Sequence, residues 1–157
     1  MNYELNLISQ GPGKIRAIAI CVICRGDDIF VFEGRDEQKD ETFYRPLGGA
    51  IEFGEYSAQA VQREFREEIG SEIEQLRFWH TLENMFILEG IPGHKIVFVY
   101  RGRLAGKSIY EQPFILGTED NGQSFKAMWK ATADFEGGPP LYPDGLLELL
   151  TTRAANL

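Results

Sequence analysis

No stretch of this chain is both apolar and long. The longest uninterrupted run, AIAICVIC from Ala17 to Cys24, is far too short for a membrane-spanning helix. The opening segment MNYELNLISQGPGK has no basic region followed by an apolar stretch, so no signal peptide is expected and the cytoplasm is the default location. Basic charge is scarce as well: 16 Lys and Arg stand against 24 Asp and Glu, a formal net charge of −8. That argues against a broad nucleic-acid or anionic-membrane surface, since both need basic patches. It leaves room for a small phosphorylated ligand, because divalent cations reverse the sign locally. Neither a membrane nor a stable nucleic-acid partner is expected, and a homodimer is left open.

Cysteine and histidine are also rare, with two of each. Cys21 and Cys24 form a C-x-x-C, a spacing used by zinc and redox sites. No second cysteine pair accompanies it, and His80 and His94 are far away in sequence. In a strand, residues three apart point to opposite faces, which is wrong for chelation. Both thiols are expected in the core.

What is present fits one globular domain over residues 1–157, with a core from about 14 to 153. Ile15 to Cys24 is apolar on both alternating faces, as in a central strand covered on both sides. Asp27 and Asp28 make a polar turn, and IFVFEG follows as a second strand. A charged loop from Arg35 to Glu41 leads to short extended pieces at TFYRPL and AIEF. Three more runs, LRFWHTLENMFIL, HKIVFVYRGRL and SFKAMWKA, also look like strands. Residues 105–123 show little periodicity and are expected to form a long, functional loop. PDGLLELLTTR reads as a closing helix. The predicted fold class is α/β, of the α+β kind: a mixed central sheet sandwiched between helices.

The most informative segment is GGAIEFGEYSAQAVQREFREEIG, Gly48 to Gly70. From Ser57 to Ile69 it lacks Pro and Gly, and Gly70 is a natural stop, so a helix is expected. Ala58, Val61, Phe65 and Ile69 gather on one apolar stripe. Glu64, Glu67 and Glu68 stand at i, i+3 and i+4 beside that stripe, where like charges oppose one another. A solvated charged face would lie opposite the stripe. These acids border it, after a glycine-containing loop that permits close approach of a ligand. Oxygen-only ligands select Mg²⁺ or Mn²⁺ over zinc.

The segment resembles the signature of the Nudix hydrolases, G-x5-E-x7-R-E-U-x-E-E-x-G-U, where U is bulky and apolar. Gly49, Glu55, Arg63, Glu64, Phe65, Glu67, Glu68 and Gly70 fall in register. Ser71 departs from the last apolar position, and Phe65 replaces a more usual aliphatic residue; both concern packing. Seven fixed positions match a given window by chance about once in 10⁸ at average residue usage. The resemblance implies a Nudix-type α/β/α sandwich and metal binding by Glu64, Glu67 and Glu68. Glu52 matches a further position that often helps bind metal or substrate, and Gly49 one whose carbonyl commonly joins the coordination. Glu55 and Arg63 match a pair that is mainly structural.

The implied activity is Mg²⁺- or Mn²⁺-dependent hydrolysis of a nucleoside diphosphate linked to another moiety, with a small nucleotide as substrate. Glu67 or Glu68 is favoured as the general base, and Glu119 and Asp120 are candidates from a later loop. Arg45 is the best-placed phosphate ligand, with Arg16 and Arg35 behind it. Tyr44, Phe86 or Tyr110 could stack on a base, and His94 is ambiguous. A nucleotide sugar or ADP-ribose-like diphosphate and a (d)NTP both stay open. The alternative from another class is a non-catalytic Nudix-fold regulator, which would usually have lost box glutamates. A diphosphate isomerase would favour a cysteine near the site.

Overall fold

The computed structural model describes residues 13–153. Its strands are β1 (Ile15–Arg25), β2 (Asp28–Asp36), β3 (Glu41–Pro46), β4 (Gly48–Ala50), β5 (Ile73–Leu88), β6 (Ile91–Leu104), β7 (Phe114–Thr118) and β8 (Ser124–Ala131). The helices are α1 (Ser57–Ile69) and α2 (Leu146–Arg153). The sheet runs β5-β6-β1-β2-β8-β7, with β3 added on β2 and β4 on β1. β1 and β6 are parallel while the other paired strands are antiparallel, so the sheet is mixed as expected.

β1 alternates between two apolar layers, and this alternation sets the sandwich. Ala19, Cys21 and Ile23 pack with Val61 and Phe65 of α1. Ile18, Ile20 and Val22 pack with Leu146 and Leu150 of α2 on the other side. Val61 and Phe65 are fully buried, and side chains of this size each contribute roughly 1.5–3 kcal/mol by leaving water. The prediction of two core thiols holds for Cys21 but not for Cys24. Cys21 is buried, whereas Cys24 lies three residues on, near the strand end, and is exposed. A shared metal site for the pair is therefore unsupported by geometry.

β1 pairs with β2 only at Cys24↔Ile29 and Arg25↔Asp28. Farther back, Ile18, Ala19 and Ile20 pair with Ala50, Gly49 and Gly48 of β4. The sheet therefore splits, and β3 and β4 line the opening. Two expectations need correction here. The loop expected from Arg35 to Glu41 is shorter than that, because β2 and β3 form a hairpin whose turn spans 37–40 and whose strands take in Arg35, Asp36 and Glu41. Residues 105–123 are not one irregular loop either: they hold a short 3₁₀ helix, Lys107–Glu111, and the edge strand β7. β7 escaped pattern reading because Phe114 and Leu116 face solvent while Gly117 is the buried member. Its hairpin with β8 turns at TEDNG and carries Glu119 and Asp120 toward α1.

Candidate active site

The expected helix forms over its predicted bounds. Gln59 accepts the Tyr56 N–H at 2.9 Å at its start. Gly70 ends it in the left-handed conformation, φ 65°, and donates its N–H to Arg66 O. On this rigid element, Ala60, Glu64 and Glu68 share the buried edge of the apolar stripe, while Glu67 opens to solvent. The Glu64 carboxylate lies directly over Gly49. A β-carbon on Gly49 would sit 2.5 Å from the Glu64 carboxyl carbon, so any side chain there would displace the acid.

Arg63 ties the loop to the helix. Its Nε and Nη2 donate to the two Glu55 oxygens at 2.8 and 3.0 Å, a two-pronged grip. Nη2 also donates to Ala50 O at 3.0 Å, and Nη1 to Glu64 at 2.8 Å and Glu67 at 3.3 Å. The hydrogen bonds from Arg63 hold the Glu55 carboxyl below its usual range. Glu52 is exposed and stands 3.9 Å from Arg63 on the outer side. Ser71, at the departing position, has an internal role: its hydroxyl donates to Glu72 O and accepts the Gly106 N–H.

Carboxylate oxygens of Glu64, Glu67 and Asp120 all lie within 4.8 Å of one another. Three acids this close, all oxygen donors, fit a hard divalent cation. Glu68 stands just behind them. Burial pushes its carboxyl up to about 10, Arg45 opposes the shift, and a hydrogen bond with Glu64 and the Glu119 charge add to it. Without a cation, burial thus favours the protonated form of Glu68. Burial also raises the half-buried Glu119, against the pull of Arg45.

The three predicted arginines separate. Arg45 is half-buried on β3, its guanidinium 4.5 Å over the Phe32 ring, near both Glu68 and Glu119. Arg16 sits on β1 opposite Lys95 of β6. Arg35 is remote in role: it pairs with Asp40 and Thr42 at the β2–β3 hairpin. Of the aromatic candidates, Tyr44 is buried with its hydroxyl on Glu33, and Tyr110 stacks on Trp129. Only Phe86 borders the pocket beside Arg45. His94 lies outside that pocket, 2.9 Å from Glu83.

That pocket, between β3 and strands β1, β5 and β6, encloses about 620 Å³ with its mouth included. Glu64, Glu67, Glu68, Glu119 and Asp120 do not line it, whereas Asp36 and Glu41 do; Arg45 joins the two regions. It also holds Asn84 and Lys95, which pattern reading passed over. Both occupy inward positions otherwise taken by apolar residues, Leu82 and Phe86 on β5 and Val97 on β6. That inward polarity was the available signal.

A family model described as the NUDIX domain matches residues 14–129. The chain belongs to this family. The NUDIX fold recurs in solved structures at low identity. A MutT NUDIX hydrolase from Burkholderia pseudomallei is 17% identical, with a TM-score of 0.60, over 88% of this chain and 97% of its own. The E. coli ORF135 protein is 22% identical, with a TM-score of 0.54, over 91% and 93%. An ADP compounds hydrolase is 17% identical, with a TM-score of 0.56, over 82% of this chain and 64% of its own. Among the described residues, no helix is long and apolar enough to cross a membrane.

Proposed function

We propose that this Nudix pyrophosphohydrolase cleaves the pyrophosphate bond of a nucleoside diphosphate derivative or nucleoside triphosphate, using Mg²⁺ or Mn²⁺. The observation that carries the reading is the convergence of Glu64, Glu67 and Asp120 oxygens within 4.8 Å, beside Gly49. Glu64, Glu67 and Asp120 would hold the cation, with Glu68 and Gly49 adjoining. A bound divalent cation would neutralise pyrophosphate charge and lower the pKa of attacking water.

The chain's own groups supply the rest. Glu67 is the exposed member of the helix's three acids, with one oxygen 3.3 Å from Arg63 and the other left to accept a proton from water. Arg63 fixes Glu64 and Glu67 in place by bonding to both. Burial favours the protonated form of Glu68 in the cation-free enzyme, and a bound cation would favour its carboxylate. Arg45 faces the acids and the pocket together, which suits a guanidinium gripping a phosphate. The complete set of box acids disfavours a non-catalytic module, and the exposed Cys24 gives an isomerase no support.

The test is phosphorus NMR on nucleotide sugars, ADP-ribose and nucleoside triphosphates incubated with enzyme and Mg²⁺. Release of a nucleoside monophosphate with its partner phosphate is expected for at least one class. No cleavage across the panel with either cation would refute the reading.

A further inference from the structure

Strands β1, β6 and β5 lie side by side, and their register builds one shared face on the α1 side of the sheet. Ile15, His94 and Met85 stand in one row across it, and Ala17, Ile96 and Glu83 in the next. Farther along, Phe78 stands opposite Tyr100, with the ring centroids 5.7 Å apart. The helix α1 packs on Ala19 and Cys21 at one corner of this face. Beyond that corner Ile15, Ala17, Phe78, Glu83 and Met85 are all exposed. Ile87 continues the β5 edge of the face, and Tyr56 borders it where the Ser57 and Tyr100 hydroxyls meet at 2.6 Å.

A sheet in a layered fold is stable when its apolar faces are covered, and here part of one is left bare. Ile15, Tyr56, Phe78, Met85 and Ile87 are each 54–80% exposed. Side chains of this size, so exposed, offer roughly 100 Å² apiece and on the order of 500 Å² together. That matches the largest apolar patch of an ordinary monomer, about 300–600 Å². With the half-buried Ile96 and Phe98 added, it approaches the roughly 800 Å² per partner of a standard interface. Charge points to the kind of partner. The chain carries −8 overall, yet the rows of this face hold one acid and one imidazole, Glu83 and His94, 2.9 Å apart. A strongly charged partner finds nothing complementary there. A second copy, turned by a two-fold axis, brings the same acid and imidazole in reverse order and meets like with unlike.

We infer that the bare β1–β6–β5 face binds a second copy of this chain, forming a two-fold dimer in which the two sheets pack face to face. Sheets stacked in this way lie about 10 Å apart with their inner side chains interdigitated, which the flat rows of Ile15, Met85 and Phe78 allow. The inference does not depend on which substrate the enzyme cleaves.

Sedimentation equilibrium of the full chain tests it. The dimer should be the main species at about 100 µM, since interfaces near standard size bind at micromolar Kd or tighter. Met85→Glu and Ile15→Glu each place a charge in the contact twice, once per copy. Each should raise the dimer Kd by at least about 10-fold, or about 1.4 kcal/mol. Both side chains are more than half exposed, so the far-UV circular dichroism of the variants should match wild type. They lie on different strands, so one serves if the other fails to fold. A monomer at about 100 µM would overturn the inference, whether residues 1–12 or another protein occupies the face. A dimer whose Kd is unchanged in a folded variant would overturn it as well, because the contact would lie elsewhere. Assemblies larger than two would also do so, since a two-fold face closes at the dimer.

Discussion

Replacing Glu68 by Gln should make the cation-free protein less sensitive to rising pH. Glu68 is 8% exposed, and its carboxyl is pushed up to about 10, chiefly by burial. Its unfolded value is near the ordinary 4.5. Between those limits the folded chain holds a proton that the unfolded chain has released, so stability falls as pH rises. One such group contributes roughly 1 kcal/mol of lost stability per pH unit, or about 2 kcal/mol from pH 6 to pH 8. The amide introduced by Glu68→Gln cannot titrate, yet it can still donate to Glu64. Glu119 shifts in the same direction and is common to both proteins, so the difference between their slopes isolates Glu68. Urea unfolding in EDTA at pH 6, 7 and 8 gives both slopes directly. Wild type should lose stability faster by roughly 1 kcal/mol per pH unit, and saturating Mg²⁺ should reduce the gap by favouring the carboxylate. Parallel slopes in EDTA would refute the reasoning, because Glu68 would then be ionised in the folded state like any surface acid.

Arg63→Ala should cost about 2–3 kcal/mol in urea unfolding, since Glu55 and Glu64 lose their main partner; a loss under about 0.5 kcal/mol would make the grip incidental. Gly49→Ala should lower turnover by at least about 10-fold by displacing Glu64, read as kcat with KM little changed, and wild-type kcat would contradict the close approach. Arg45→Ala should raise KM by about 10-fold or more, with Arg45→Lys recovering only part; unchanged KM in a folded variant would move the phosphate contact elsewhere. Cys24→Ala should leave activity and stability unchanged while Cys21→Ala destabilises by about 1 kcal/mol, and stoichiometric zinc in the wild type would overturn that distinction.

The parts legible in the sequence are those governed by local period. Helix α1 announced itself through the stripe Val61 and Phe65 and the stop at Gly70. β1 did so through apolar residues on both faces, which the two layers of the sandwich then cover. Edge strand β7 was not legible, because it has one neighbour and turns its large residues to solvent. Recognising TEDNG as a hairpin turn before SFKAMWKA would have found it. The acids of α1 were evident from spacing, but Asp120 reaches them only through that hairpin. Arg35 stood behind Arg45 as a phosphate ligand in the sequence, and strand pairing turned it to Asp40 and Thr42. Asn84 and Lys95 meet only across the β5–β6 register, which no local pattern specifies.

The most direct measurement is turnover of a cleaved nucleotide against Mg²⁺ concentration, for wild type and Glu67→Gln side by side. The account predicts no turnover in EDTA, a saturable rise with Mg²⁺, and a kcat at least about 100-fold lower in Glu67→Gln at saturating cation. Wild-type turnover in EDTA, or equal kcat for the two proteins, would contradict it.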